Sequence, residues 1–244
     1  MREQEGAAAS TVRRRLFALS SLFKHLVRHG SAGRNPVVDV ARPGINREEG
    51  STAAFSKAQA RKLLDAPSPN TLAGMRDRAI LSVGLQVGLR RAEIAGLTVG
   101  DLHQTRGCDA LRLTRKGGRR DALAIHQQTA KRIRAYLDQA GHANDHAGPL
   151  FRPLRGNAKA QDPAGRLDPD TIDRLVWKHA AGIGLLRGYS AHSMRATFIT
   201  TALENEALLE DVQKAARHRD PSTTRLYDRR GYDPEKAVSF FATY

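Results

Sequence analysis

Residues 192–230 read HSMRATFITTALENEALLEDVQKAARHRDPSTTRLYDRR, and helical spacing here brings a histidine, an arginine, a second histidine and a tyrosine into one folded segment. His192 and Arg195 stand three apart, so on a helix they project from one face, and Ser190 is placed to cap that helix. A second helix, ALLEDVQKAARH, ends at His218. Asp220 with Pro221 opens a third, which is expected to carry Tyr227 one to two turns in. Such a set needs a partner, and the rest of the chain describes one.

The 244 residues hold 40 Lys and Arg against 25 Asp and Glu, a net charge of +15 that favours a polyanion. Nucleic acid fits best, since a membrane-surface helix needs bulky apolar anchors and aromatics are only 5% of the chain. A single cysteine, Cys108, excludes an internal disulfide and a cysteine-cluster zinc site. The start, MREQEGAAAS, has no apolar leader core, and the longest apolar run, AILSVGLQVGL (79–89), is too short and glycine-broken to span a bilayer. A cytoplasmic protein with no membrane association is expected.

Outward from the opening stretch, the periodicity predicts a mainly α fold with one small antiparallel β-sheet. TVRRRLFALSSLFKHLVRHG (11–30) is an amphipathic helix with Thr11 as its expected cap and Gly30 as its stop. Its polar face carries Arg13, Arg14, Lys24 and Arg28, which lie along phosphates or serve only as a solvated face. Residues 1–45 are read as a partial N-terminal helical domain, 46–55 as a linker and 56–244 as the main domain. Ser56 and Gln59 fit a capping box, with Phe55 stapling onto Ala60. MRDRAILSVGLQVGLRRAEIAGLTVGDL (75–102) is a buried helix, a corner at Gly88 and a short helix from about Arg90. In LRLTRKGGRRDALAI (111–125) alternation around Gly117 and Gly118 marks a hairpin with a cationic tip. Helices follow over 127–141 and from Asp168 and Pro169, the latter with Trp177 as a core residue.

A phosphodiester under attack by an oxygen nucleophile gathers charge on its equatorial oxygens, and planar arginines answer that charge with forked hydrogen bonds. Tyrosine, with an ordinary pKa of about 10, becomes a nucleophile only where cations or a base favour the phenolate. His192, Arg195 and His218 supply such a field, and Lys116 on the hairpin tip is a proton donor for the leaving oxygen. Tyr232, five residues after Tyr227, and the terminal Tyr244 are the neighbouring tyrosines. His142 and His146 are four apart, but in a glycine-rich loop that argues against a helical metal pair.

In this order GLRRAE (88–93), RKGGRR (115–120), HSMR (192–195) and HRDPSTTRLY (218–227) resemble the tyrosine recombinases, or phage-type integrases, over about residues 52–230. The resemblance implies a site-specific DNA recombinase that works through a 3′-phosphotyrosyl intermediate on double-stranded DNA, as a homo-oligomer, with no cofactor, metal or ATP. It implies that Arg90 and Arg195 clamp the phosphate, Lys116 is the general acid, His192 transfers protons, His218 binds phosphate and Tyr227 is the nucleophile. Glu93 then supports Arg90, while Arg115, Arg119 and Arg120 contact the DNA backbone.

Two departures stand out. The family usually has Leu-Gly before the second histidine, where this chain has Ala216 and Arg217, and Arg217 is read as an added phosphate contact. The family also begins with a four-helix DNA-clamping domain, of which residues 1–45 match the last part, the reading of a shortened frame or one-sided grip. Against the recombinase stand a non-catalytic DNA-binding relic of a mobile element and a type IB-like topoisomerase. DPEKAVSFFATY (233–244) puts Ala237, Phe240, Phe241 and Tyr244 on one face, which folds back on its own domain or, as the resemblance implies, docks on a neighbouring protomer.

Overall fold

The computed structural model describes residues 7–44, 52–114, 120–155, 160–162, 165–185, 188–218 and 220–228. Among these, nine α-helices accompany a three-stranded antiparallel sheet and a two-stranded ribbon. The chain divides into two compact units, Met1–Glu49 and Gly50–Tyr244.

The first unit is built on α1 (Ala9–Arg28). Gly30 ends it as expected: at φ +70° its amide bonds to Val27 O and that of Ser31 to Leu26 O, closing the helix with a left-handed residue. Its start differs from the expected one. Ala8 occupies the cap with no side-chain bond, and Thr11 lies inside the helix. The returning chain is pinned by Asn35, whose amide donates to Ser20 O and Oγ at 3.2 and 3.1 Å.

The second unit opens at Phe55, which is buried. Its amide donates to Thr197 Oγ1 at 2.7 Å, and its ring stacks on Tyr189 with centroids 4.4 Å apart. Helix α2 (Lys57–Asp65) follows the expected capping box, Ser56 Oγ accepting from Gln59 N at 3.2 Å and Gln59 Oε1 from Ser56 N at 2.8 Å. Helix α3 (Leu72–Gln86) is the spine, buried without a break from Ala79 to Leu85. A run this apolar, broken only by Ser82, is unfavourable in water, so other helices must cover it on several sides. They are α2, α4 (Arg91–Gly96), α5 (Gln127–Ala140), α6 (Pro169–Gly182) and α7 (Ala191–Glu204). Gly84 permits the crossing with α7: a Cβ there would stand 2.4 Å from Met194 Cε.

Strands β1 (Leu102–Thr105), β2 (Cys108–Thr114) and β3 (Arg120–Ala124) form one meander, Leu102 opposite Leu111 and Thr114 opposite Arg120. The hairpin of β2 and β3 was expected; β1 was not. Its turn is Arg106-Gly107, both at positive φ (49° and 76°), the geometry of a two-residue hairpin turn. β4 (Leu154–Arg155) pairs with β5 (Ala160–Gln161). Helix α6 opens with Asp168 Oδ1 accepting from Asp170 N at 2.7 Å and Pro169 in its first turn. Trp177, expected in the core, is 56% exposed on α6, whose inward residues are Ile172, Leu175, Val176 and Ala180. Position 177 falls outside the stripe those four define. Buried Asp77 accepts from Arg76 Nη2 at 2.9 Å and pairs with His179 Nε2 at 2.9 Å, joining α3 to α6.

Candidate active site

After α3 the chain turns at Gly88, which has φ +69° and whose missing Cβ would meet Phe198 Cδ1 at 2.3 Å. Two residues on, Arg90 is the N-cap of α4 in extended backbone. Glu93 reaches back to it, Oε2 accepting from Arg90 N at 2.7 Å and Oε1 from Arg90 Nη1 at 3.1 Å. One carboxylate thus satisfies a helix-end amide and steadies a guanidinium that is otherwise half exposed.

Ser190 caps α7, its Oγ accepting from His192 N at 3.2 Å while its own amide donates to Ser193 Oγ at 3.2 Å. Ala191 N donates instead to Asp173 Oδ1 on α6, at 2.8 Å. His192 stands at the head of the helix, where it lines a cleft with Arg90 and Arg195. Arg195, one turn later, is 1% exposed. Its Nη1 donates to Gly88 O at 2.6 Å and its Nη2 to Ala216 O, so one buried guanidinium fastens the corner before Arg90 to the helix end before His218.

That helix end belongs to α8 (Leu209–Ala216). Arg217 takes the left-handed conformation (φ 53°, ψ 44°), with its amide on Lys214 O and that of His218 on Gln213 O, the closure usually given to glycine. Its Nη2 pairs with Glu93 and the side chain is 10% exposed, and it lines one cleft with Arg90 and His218. His218 Nδ1 shares a 2.9 Å hydrogen bond with Thr224 Oγ1. Helix α9 (Pro221–Arg225) begins with Asp220 Oδ1 accepting from Ser222 N at 2.9 Å. Tyr227 follows this helix rather than lying within it, its amide on Thr224 O at 3.0 Å in a tightened final turn. Its ring lies 6.2 Å from that of His218, tilted 21°, and packs on the small cluster of Ile199, Leu203, Val212 and Ala216.

The cations here depress one another. Arg195 is pushed down to about 10, first by burial and then by Arg90. His218 is pushed down to about 4 by burial, Arg195, Arg90 and His192. His192 is lowered by burial, Arg195 and Arg90, with Asp173 opposing. Burial raises the Tyr227 phenol, with Arg195 opposing. At neutral pH His218 is therefore neutral and Tyr227 protonated. Two clefts open here, of about 960 and 430 Å³, and both are lined by Arg90. A site of this kind gains free energy by taking in an anion, because each positive group is relieved of the others' repulsion.

The structure thus brings Arg90, His192, Arg195, His218 and Tyr227 together. Lys116, Arg115 and Arg119 lie outside the described residues, as do Tyr232 and residues 233–244; Arg120 opens β3 by its backbone. On α1, in the other unit, Arg14, Lys24 and Arg28 are exposed, whereas the Arg13 guanidinium lies 5.6 Å over the Phe17 ring. His142 is buried with Nε2 on Leu150 O at 3.2 Å, and no group of three or more metal-ligating side chains occurs among the described residues. Asp173 and Thr224 were not singled out in the sequence. Asp173 lies outside the four motifs and Thr224 inside the last of them, six residues after the histidine it bonds.

The phage integrase family matches residues 54–232. Tyrosine recombinase XerC of Pelobacter propionicus is 34% identical over 214 residues, covering 88% of this chain and 67% of the relative. Tyrosine recombinase XerD of Lacticaseibacillus casei is 27% identical over 232 residues, covering 92% and 74%. Among solved structures, XerH site-specific recombinase bound to difH substrate in a pre-cleavage complex is similar with a TM-score of 0.71 at 18% identity, covering 98% of this chain and 67% of that one. A lambda integrase dimer bound to a COC′ core site has a TM-score of 0.66 at 16% identity, covering 95% and 63%. The matched residues contain every described residue of the cationic cluster and its tyrosine, and the chain belongs to the phage integrase family of tyrosine recombinases.

Proposed function

We propose that this chain cuts and rejoins double-stranded DNA at specific sites, with Tyr227 attacking a phosphodiester to form a 3′-phosphotyrosyl link and release a 5′ hydroxyl. A second strand's hydroxyl then attacks that link, so the ester bond passes from strand to enzyme to strand and no external energy is needed. Arg90 and Arg195 clamp the phosphate, His218 adds a contact, His192 moves protons at the nucleophile and Lys116 protonates the leaving oxygen. Residues 1–45 grip DNA, 46–55 link, and 56–244 carry the chemistry, as copies assembled on DNA in the cytoplasm.

The observation that carries this reading is Arg195, a buried guanidinium bonded to Gly88 O and Ala216 O, the carbonyls two residues before Arg90 and His218. Preorganised donors of this kind stabilise developing charge without reorganising at the moment of reaction. The test is a pool of nicked duplexes with randomised arms, incubated with the full chain and screened for adducts that survive boiling detergent. Wild type is expected to yield them and Tyr227→Phe to lose them. DNA binding with no adduct in either would leave a DNA-binding relic, and site-independent relaxation of a supercoiled plasmid would point to a topoisomerase.

A further inference from the structure

We propose that Asp173 is a positioning residue of this site, a single carboxylate on α6 that sets the head of α7, with His192, against the head of α4, with Arg90. The proposal rests on the functional reading above. Asp173 Oδ1 accepts the Ala191 amide at 2.8 Å, the first amide of α7, while the Ser190 hydroxyl takes the next one. Asp173 Oδ2 pairs with Arg91, which follows Arg90 in the chain and also reaches Asp170 Oδ1 at 2.8 Å. The two helices thus meet on the two oxygens of one side chain.

Such a brace matters because α4 has only six residues, too few to hold a direction by its own hydrogen bonds. Its contacts with Glu93 and Asp173 set where Arg90 points. Both contacts lie at its N-terminal end: Glu93 in the first turn faces Arg90 itself and Arg217, and Asp173, through Arg91, ties that end to α7. A carboxylate at the head of α7 also complements the helix dipole. Asp173 lines the same cleft as Arg90, His192 and Arg195. Of the charged groups acting on His192, Arg195 on its own helix and Arg90 on α4 oppose its proton, and Asp173 on α6 favours it. His218, after α8, and Arg91 complete the charged surroundings. Asp173 therefore places the head of the helix that carries His192, and its charge opposes the lowering of that group by burial, Arg195 and Arg90.

The experiment uses the full chain on a nicked duplex selected from the randomised pool, with Asp173→Asn, Asp173→Ala, Arg91→Gln and the Tyr227→Phe control. Adduct formation is timed across pH, DNA affinity and melting are measured in parallel, and His192 is titrated by NMR. Asp173→Ala is expected to slow adduct formation about 10- to 100-fold, the range for a slight misplacement of reacting groups. DNA affinity should stay within about threefold, and the His192 titration should move to lower pH. Asp173→Asn keeps an oxygen for the Ala191 amide but loses the charge, and should fall between wild type and Asp173→Ala. Arg91→Gln cuts the α4 arm, together with the Asp170 pair, and should slow the reaction while the Ala191 bond to Asp173 stays in place. Wild-type adduct rates in Asp173→Ala, or losses that merely track melting and DNA affinity, would overturn the positioning role while leaving Tyr227 in place. If adducts survive Tyr227→Phe, or none form at all, the functional reading fails and this proposal with it.

Discussion

Arg195 and Gly88 are joined by a 2.6 Å hydrogen bond from a buried guanidinium to a carbonyl whose residue is held at φ +69°. Gly88→Ala should therefore destabilise the protein twice over. A left-handed residue with a Cβ costs about 1–2 kcal/mol, and that Cβ would stand 2.3 Å from Phe198 Cδ1. A loss of about 2–4 kcal/mol in urea unfolding is expected, with slower adduct formation because the corner aims Arg90.

Arg217 allows strain and ion pairing to be separated. Arg217→Gly removes the left-handed strain and the Glu93 pair together, while Arg217→Ala loses the pair and keeps the strain. The glycine variant should be the more stable of the two by about 1 kcal/mol. Both should weaken strand cleavage, since Glu93 then holds Arg90 without its second cation. Equal melting of the two variants would contradict the backbone assignment.

His218 stays neutral down to about pH 4 in the folded chain, against an ordinary value of 6.5. Between those limits the unfolded chain binds a proton that the folded chain refuses, so stability falls as pH drops from 6.5 toward 4. Above 6.5 the group contributes no pH dependence. His218→Gln should flatten that part of the stability profile. A bound phosphodiester offsets Arg195 and Arg90, so DNA should move the His218 NMR titration upward.

Lys116→Ala should slow cleavage of ordinary DNA about 10²- to 10⁴-fold, the usual range for a lost general acid. A substrate with sulfur in place of the leaving 5′ oxygen should be cleaved at nearly the wild-type rate by this variant, since a thiol of pKa about 8.5 departs without a proton. A variant still slow on the sulfur substrate would reassign Lys116 to phosphate binding.

Much of the fold was legible where a local rule has a local cause. Ser56 with Gln59, Asp168 with Pro169, Ser190, and Asp220 with Pro221 all mark helix starts, because each side chain meets an amide two or three residues away. The corner at Gly88 and the hairpin of β2 and β3 were legible for the same reason. Strand β1 escaped because Arg106 is an unusual residue for a turn at positive φ. Trp177 was misplaced because size argues for burial, whereas the stripe of Ile172, Leu175, Val176 and Ala180 faces the other way. Thr11 looked like a cap because threonine often is one, but α1 starts earlier. The pairing of Arg217 depends on Glu93, 124 residues away, and the bracing of Ala191 by Asp173 on a packing of α6 beside α7. Local spacing carries no trace of either.

Phe55 enters the second unit already bonded to Thr197, two positions past the buried arginine. The segment that leads into this unit is thereby tied to the helix that bears Arg195 and His192.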